Sequence, residues 1–78
     1  MEYDNNKVDE VVLALLYLNF HRSHEIVRAW KGFDWDTMDR LHEKGYISDP
    51  KSKAKSVIMT EEGQNISTEL FIKYFSKT

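Results

Sequence analysis

A mainly α-helical domain with one small β-hairpin, in the order ααα-ββ-α, is the fold class this 78-residue sequence predicts. Three observations predict it. Apolar residues recur at helical spacing in segments that open on Asn, Ser, Asp or Thr, the residues that cap helices. The three glycines and the single proline all fall where a helix or turn boundary is needed. One stretch, Tyr46 to Met59, leaves the helical period and alternates around an Asp-Pro turn.

The first helix is expected from a cap at Asn5 or Asn6 to about Phe20, with Asp9 and Glu10 near its positive end. Val8, Val11, Val12, Leu15 and Leu18 recur at helical spacing and form its expected core stripe. Ser23 can cap a short second helix, His24 to Trp30, that Gly32 ends. Asp34 caps a third, Trp35 to Lys44, which Gly45 stops in the left-handed conformation. Its expected inward face is Trp35, Met38, Leu41 and His42. Tyr46 and Ile47 then read as a short strand, Asp49-Pro50 as a turn, and Val57 to Met59 as the return strand with Val57 and Met59 on one face. Thr60 caps the last helix, with Glu61 and Glu62 suited to its dipole and Ile66, Leu70 and Tyr74 on its main apolar face. Two short helices at a tight turn followed by a hairpin describe a winged helix-turn-helix.

Composition bounds the rest. Residues 1–78 make one domain, 41% hydrophobic and 31% charged, which are globular values. A chain of this size buries roughly 60–65% of its unfolded surface. Without cysteine it has no disulfide and no thiolate site, so packing or a partner must hold it. The longest apolar run, Val11 to Leu18, is too short for a bilayer, and Met1 to Asn6 has no basic leader region. A soluble, cytoplasmic protein with no membrane partner is the expectation. The net charge of −2 excludes a domain that holds nucleic acid by overall charge. Phosphate contact would need a local patch.

The stretch "LHEKGYISDP…KSVIMTEEG" resembles a segment of winged-helix regulators of the MarR and PadR kind, carried by Leu41, Gly45, Tyr46, Ile47, Met59, Thr60, Glu61 and Gly63. It covers under a third of the chain. The resemblance implies a wing after a groove-reading helix, duplex DNA as partner, and dimerisation through terminal helices. "AWKGFDWDTMDRLHEKGYISDPKSKAKSV" is similar to a family of small, mostly bacterial proteins classed only as a domain of unknown function, which brings no activity with it.

The nucleic-acid candidates are Thr37, Arg40 and Lys44 on the outward side of the third helix and Lys51, Lys53 and Lys55 in the wing. An extended wing would put those lysines on one side, with a charge of +2 once Asp49 is counted. The bland reading is a solvated hairpin whose lysines protect an edge. The third helix departs from the regulator pattern: Asp36, Asp39 and Glu43 outnumber Arg40 and Lys44 on its outward side, and Arg40 is placed to pair with Asp36 or Glu43. Binding to DNA would be weak, because acids on that helix repel phosphates.

Leu13, Tyr17 and Phe20 follow i, i+4, i+7 on the side of helix one opposite its expected core stripe, and Phe71 and Phe75 repeat this on the last helix. A helix apolar on both sides expects burial on both. These five residues are the candidate homodimer interface. Trp30, Phe33 and Trp35 around Gly32 are expected in the core, with an aromatic cage or partner anchor as the alternative. His21, His24 and His42 lack a closing ligand set for zinc, and Asp34, Asp36 and Asp39 lack the glycine and distal glutamate of a calcium loop. No catalytic motif, metal site or cofactor is expected. The sequence therefore predicts a binding module, DNA-binding or transcription-associated, with a protein–protein interaction module that does not bind DNA as the alternative.

Overall fold

In the computed structural model, which describes residues 1–77, the cap of the first helix lies one residue before the asparagines. Asp4 is the cap, and its carboxylate accepts from the amides of Asn6 and Lys7 at 2.9 and 3.2 Å. Helix α1 (Asn5–Leu16) then tightens into a 3-10 turn, Tyr17–Asn19, rather than continuing to Phe20. Ser67 meets this end of the helix: buried, it donates its hydroxyl to the Leu13 carbonyl at 2.7 Å.

The second expected helix is absent. Residues 21–30 form a β-hairpin of strands β1 (His21–Ser23) and β2 (Ile26–Trp30), with Ser23 paired to Ile26 across a two-residue turn. Such a turn requires positive φ. His24 supplies it at φ 60, without the glycine that would have announced it. Ile26 and Val27 are β-branched, and residues 26–30 alternate in burial as a half-covered strand does. Gly32 stops no helix. A hairpin thus separates α1 from helix α2 (Trp35–Glu43), and no two α-helices among the described residues meet at a tight turn.

Helix α2 follows the expected punctuation. Asp34 accepts from the Thr37 amide at 3.1 Å. Gly45 holds φ 83, and the amides of Gly45 and Tyr46 return to the carbonyls of His42 and Leu41 at 3.0 and 3.1 Å. That nested pair of bonds is a Schellman stop. Its inward face is narrower than expected: Met38 and Leu41 are buried, whereas Trp35 and His42 are exposed.

After the stop, Ile47 bridges Met59, and strand β3 (Ser56–Ile58) adds to β2 as the third strand of an antiparallel sheet in the order β1-β2-β3. Val57 and Met59 are both buried, as the alternation requires. The intervening residues 50–55 are turns and bends rather than an extended wing, so the alternating lysines do not share a strand face. Helix α3 (Glu61–Phe75) opens on Thr60, whose hydroxyl accepts from the Gly63 amide at 2.9 Å. The described residues are thus mixed in class, with three α-helices, a 3-10 turn and a three-stranded sheet among them.

The core gathers Leu13 and Leu16 from α1, Val27 and Ala29 from β2, Met38 and Leu41 from α2, then Ile47, Val57 and Met59. The phase expected for α1 is therefore wrong. Its buried residues are Asp9, Leu13, Ala14 and Leu16, while Leu18, assigned to the core stripe, is 67% exposed. Both sides of the helix are apolar, so periodicity could not choose between them. Its packing against α3 and α2 does. Trp30 and Trp35, expected inside, are 53% and 66% exposed, and of that cluster Phe33 alone packs against the core.

Candidate functional site

A carboxylate sets the orientation of α2. Asp9 is buried on α1, and its two oxygens accept from Arg40 Nε at 2.8 and 3.0 Å; the second also accepts from Lys44 Nζ at 2.9 Å. Arg40 also donates through Nη2 to the Thr37 hydroxyl at 3.1 Å, and that hydroxyl donates to Asp34 at 3.0 Å. The hydrogen bond that Arg40 donates to Asp9 raises the Arg40 pKa above its ordinary value. A buried carboxylate needs such partners, because an unpaired charge is costly in a low-dielectric interior.

The arrangement engages half of the nucleic-acid candidates within the molecule. Thr37 is fully buried, and Arg40 and Lys44 turn inward to Asp9 instead of outward to a ligand or to Asp36 and Glu43. Towards solvent α2 presents Trp35, Asp36, His42 and Glu43, with Asp39 half-buried. A helix presenting those acids repels phosphate.

Lys51, Lys53 and Lys55 are all exposed. Lys31 fastens the loop that carries them, donating Nζ to the carbonyls of Pro50 and Ser52, each at 2.6 Å. Arg28 fixes the return side by donating to the Ser56 hydroxyl at 2.7 Å and the Ser56 carbonyl at 2.9 Å. These contacts use neutral acceptors, so they order the loop without cancelling its charge.

The dimer candidates divide differently. Leu13 lies in the core at 1% exposure and presents nothing to a partner. The other four come together although they lie at opposite ends of the chain. Tyr17 stacks on Phe71 with ring centroids 4.8 Å apart, Phe20 meets Tyr17 edge-on at 5.6 Å, and Phe71 meets Phe75 at 5.3 Å. Tyr17 and Phe75 remain 40% and 45% exposed, and Leu18 and Ile72 beside them in sequence 67% and 60%. Sequence reasoning omitted the last two because Leu18 had been assigned inward and Ile72 lies off the i, i+4 strip. A long apolar residue one position from an aromatic strip was the signal available.

A half-open cleft of about 370 Å³ lies between α1, the end of α2 and α3. Leu13, Leu41, Ile66 and Leu70 make its apolar wall, and Asn6, Asp9, Glu10 and Lys44 its polar lip. Three of those polar groups are engaged within the molecule: Asp9 and Lys44 with each other, and Glu10 with the Tyr74 hydroxyl. No buried side-chain polar atom among the described residues lacks a hydrogen-bond partner. No group of three potential ligands that could hold a metal ion occurs among them, and no helix is long and apolar enough to cross a membrane.

Residues 4–77 match the family described as "Domain of unknown function (DUF6429)". The chain is 52% identical over 77 residues to "Uncharacterized protein y4hR" of Sinorhizobium fredii (strain NBRC 101917 / NGR234), covering 99% of this chain and 100% of that one. No solved structure matches it. The chain belongs to the DUF6429 family, a domain of unknown function with a bacterial member.

Proposed function

We propose that this domain is a protein-interaction module that acts by binding rather than catalysis and pairs with a second copy of itself. One observation carries the reading: the aromatic face that Tyr17, Phe20, Phe71 and Phe75 build between the end of α1 and the second half of α3, left open to solvent with Leu18 and Ile72 at its side. Tyr17, Leu18, Ile72 and Phe75 are about half exposed on average. At roughly 200 Å² per large side chain they leave about 400 Å² of apolar surface in water. A standard interface takes about 800 Å² from each partner, a little over half of it apolar. The exposed area is therefore about what one side of a homodimer requires. A second copy is the occupant with the same face always available at equal concentration, and isologous pairing satisfies both faces at once.

Light scattering behind a sizing column tests this. At high micromolar concentration the expected mass is twice the 9.3 kDa of the chain. Ile72→Glu with Phe75→Glu should return it to one while the helical circular dichroism is kept. A wild-type monomer at that concentration overturns the proposal.

Duplex DNA remains as a second reading, favoured by the exposed lysines 51, 53 and 55 on a loop fastened by Lys31. With Thr37, Arg40 and Lys44 turned inward, it reduces to phosphate contact by the loop, which is weak and insensitive to sequence.

A further inference from the structure

The chain's formal charge of −2 conceals a division. Residues 26–31 and 49–56 hold five basic residues (Arg28, Lys31, Lys51, Lys53, Lys55) and one acidic one (Asp49), a formal +4 that leaves −6 for the rest. These two segments are β2 with the residue after it, and the lysine loop leading into β3. They meet: Lys31 donates both its backbone amide to the Lys55 carbonyl and its ammonium to the loop. These five basic residues are thus gathered around the Trp30 end of the sheet, whereas Arg22, paired with Val27, falls on the opposite face.

The sheet has two unlike faces. Strand register puts Val27, Ala29 and Val57 on one, all buried against the helices. It puts Ile26, Arg28 and Trp30 of β2 on the other, with His21 and Ile58 flanking Arg28 and Ser56 beside Trp30. On this outer face Trp30 is 53% and Ile26 41% exposed. Trp30 is nevertheless held in place. Its amide donates to the Asn19 side chain at 3.0 Å, and its ring stacks on His21 with centroids 4.8 Å apart and planes 29° from parallel. His21 is fixed in turn by a 3.0 Å hydrogen bond between Nδ1 and the Asn19 carbonyl, which only accepts. An indole backed on one side and open on the other, beside Arg28 and a rigid lysine loop, combines the two elements of a single-strand site. Such sites pair an aromatic platform for a base with cations that follow the backbone.

We infer that the outer sheet face binds single-stranded nucleic acid, one base stacking on Trp30 while Lys51, Lys53 and Lys55 track the phosphates. This deepens the second reading above and rests on its lysine loop, but needs no groove-reading helix. It is independent of the aromatic face on the far ends of α1 and α3. Charge complementarity selects the occupant: a +4 surface on an acidic domain favours a polyanion, and only an unpaired strand offers base faces to the indole. Arg28, held by Ser56, gives the sheet a fixed cation on the same face as the platform.

The test uses fluorescein-labelled oligo(dT) and oligo(U) of roughly 12 nucleotides, a length within the range single-strand sites cover, and a duplex of equal length, at low salt. The single strands are expected to bind more tightly than the duplex. In a Trp35→Phe background the remaining Trp30 emission should be quenched on binding, since stacking is direct. Trp30→Ala should weaken single-strand binding roughly 5- to 100-fold, with Trp30→Phe intermediate and Trp35→Ala unchanged. Replacing the three loop lysines by Ala should lower the log–log salt slope by about 2, near 0.7 for each phosphate contact to a single strand. Equal or tighter duplex binding, with Trp30→Ala silent, overturns the sheet site and leaves the loop reading. Absence of binding to any of the three overturns both. Trp30 is half in solvent, so its variants should fold, and unchanged circular dichroism checks that they do.

Discussion

Two joints fix α2 in this molecule, and they are made of different materials. One joins its C-terminal end to the start of α3 through backbone. Gly45 and Tyr46 close the helix, the Tyr46 carbonyl accepts the Thr60 amide at 3.1 Å, the Gly45 carbonyl accepts the Thr60 hydroxyl at 2.7 Å, and Gly63 rests directly on residue 46. The other joins its flank to α1 through charge, with Arg40 and Lys44 closing on Asp9 across 31 and 35 residues of sequence. The backbone joint depends on residue types that have few substitutes. The charged joint depends on a balance in which each cation can be partly replaced by the other or by water. The first should therefore fail sharply on a small change, and the second gradually.

Gly63→Ala should give the largest effect. A Cβ there would lie 2.0 Å from the Tyr46 carbonyl oxygen, a backbone atom with nowhere flexible to go. Overpacking of this kind costs about 3 kcal/mol, read as a shift in the urea midpoint. A cost below about 1 kcal/mol would show that the two segments separate easily, and the contrast between the joints would disappear.

The charged joint should yield less. Arg40→Met leaves Asp9 with Lys44 alone, and both cation side chains are partly wet, at 26% and 39% exposure. The expected loss is about 2 kcal/mol, below the range for a fully buried pair. Adding Lys44→Met and Asp9→Leu should recover most of it, because replacing a buried ion cluster by apolar groups is often neutral. If the triple variant is less stable than Arg40→Met, the ions supply net stability rather than orientation alone.

Gly45→Val sharpens the first joint at the smallest scale. Nothing lies within 4 Å of a Cβ at this position, so steric room is ample and only the positive φ of 83° objects. The cost should be about 1 kcal/mol or slightly more. Comparing it with Gly63→Ala separates conformational strain from close approach within one joint, by thermal melting of both variants under the same conditions.

Legibility in the sequence follows the same line. Asp34, Gly45, Thr60 and the pair Val57 and Met59 are where their types and spacing predicted, because each acts within a few residues of itself. The stretch that resembles winged-helix regulators is largely this backbone joint. Gly63 stood out only as part of the regulator-like stretch; its contact with residue 46 joins positions 17 apart. Thr37, Arg40 and Lys44 were counted outward because a helical wheel shows which residues share a side, not which side meets a neighbour. Asp9 was read as a dipole partner at the start of α1, and nothing near it in sequence announced two cations. The hairpin at 21–30 was hidden by a turn that uses His24 in place of glycine.

The aromatic face shows both halves of the matter. The sequence by itself determined that α1 and α3 carry more apolar surface than a chain of this length can easily cover, and it named Tyr17, Phe20, Phe71 and Phe75. It also determined the Asp34 and Thr60 caps, the Gly45 stop and the shared inward face of Val57 and Met59, since these depend on local backbone preference and spacing. Only the tertiary structure decided that Leu13 goes inward and Leu18 outward, that Arg40 and Lys44 serve Asp9, and that the basic residues of two distant segments converge beside an open Trp30. Each of those choices is between two faces that are chemically alike along the chain. What breaks the tie is a neighbour brought in from far away, and burial assigns the face that meets it.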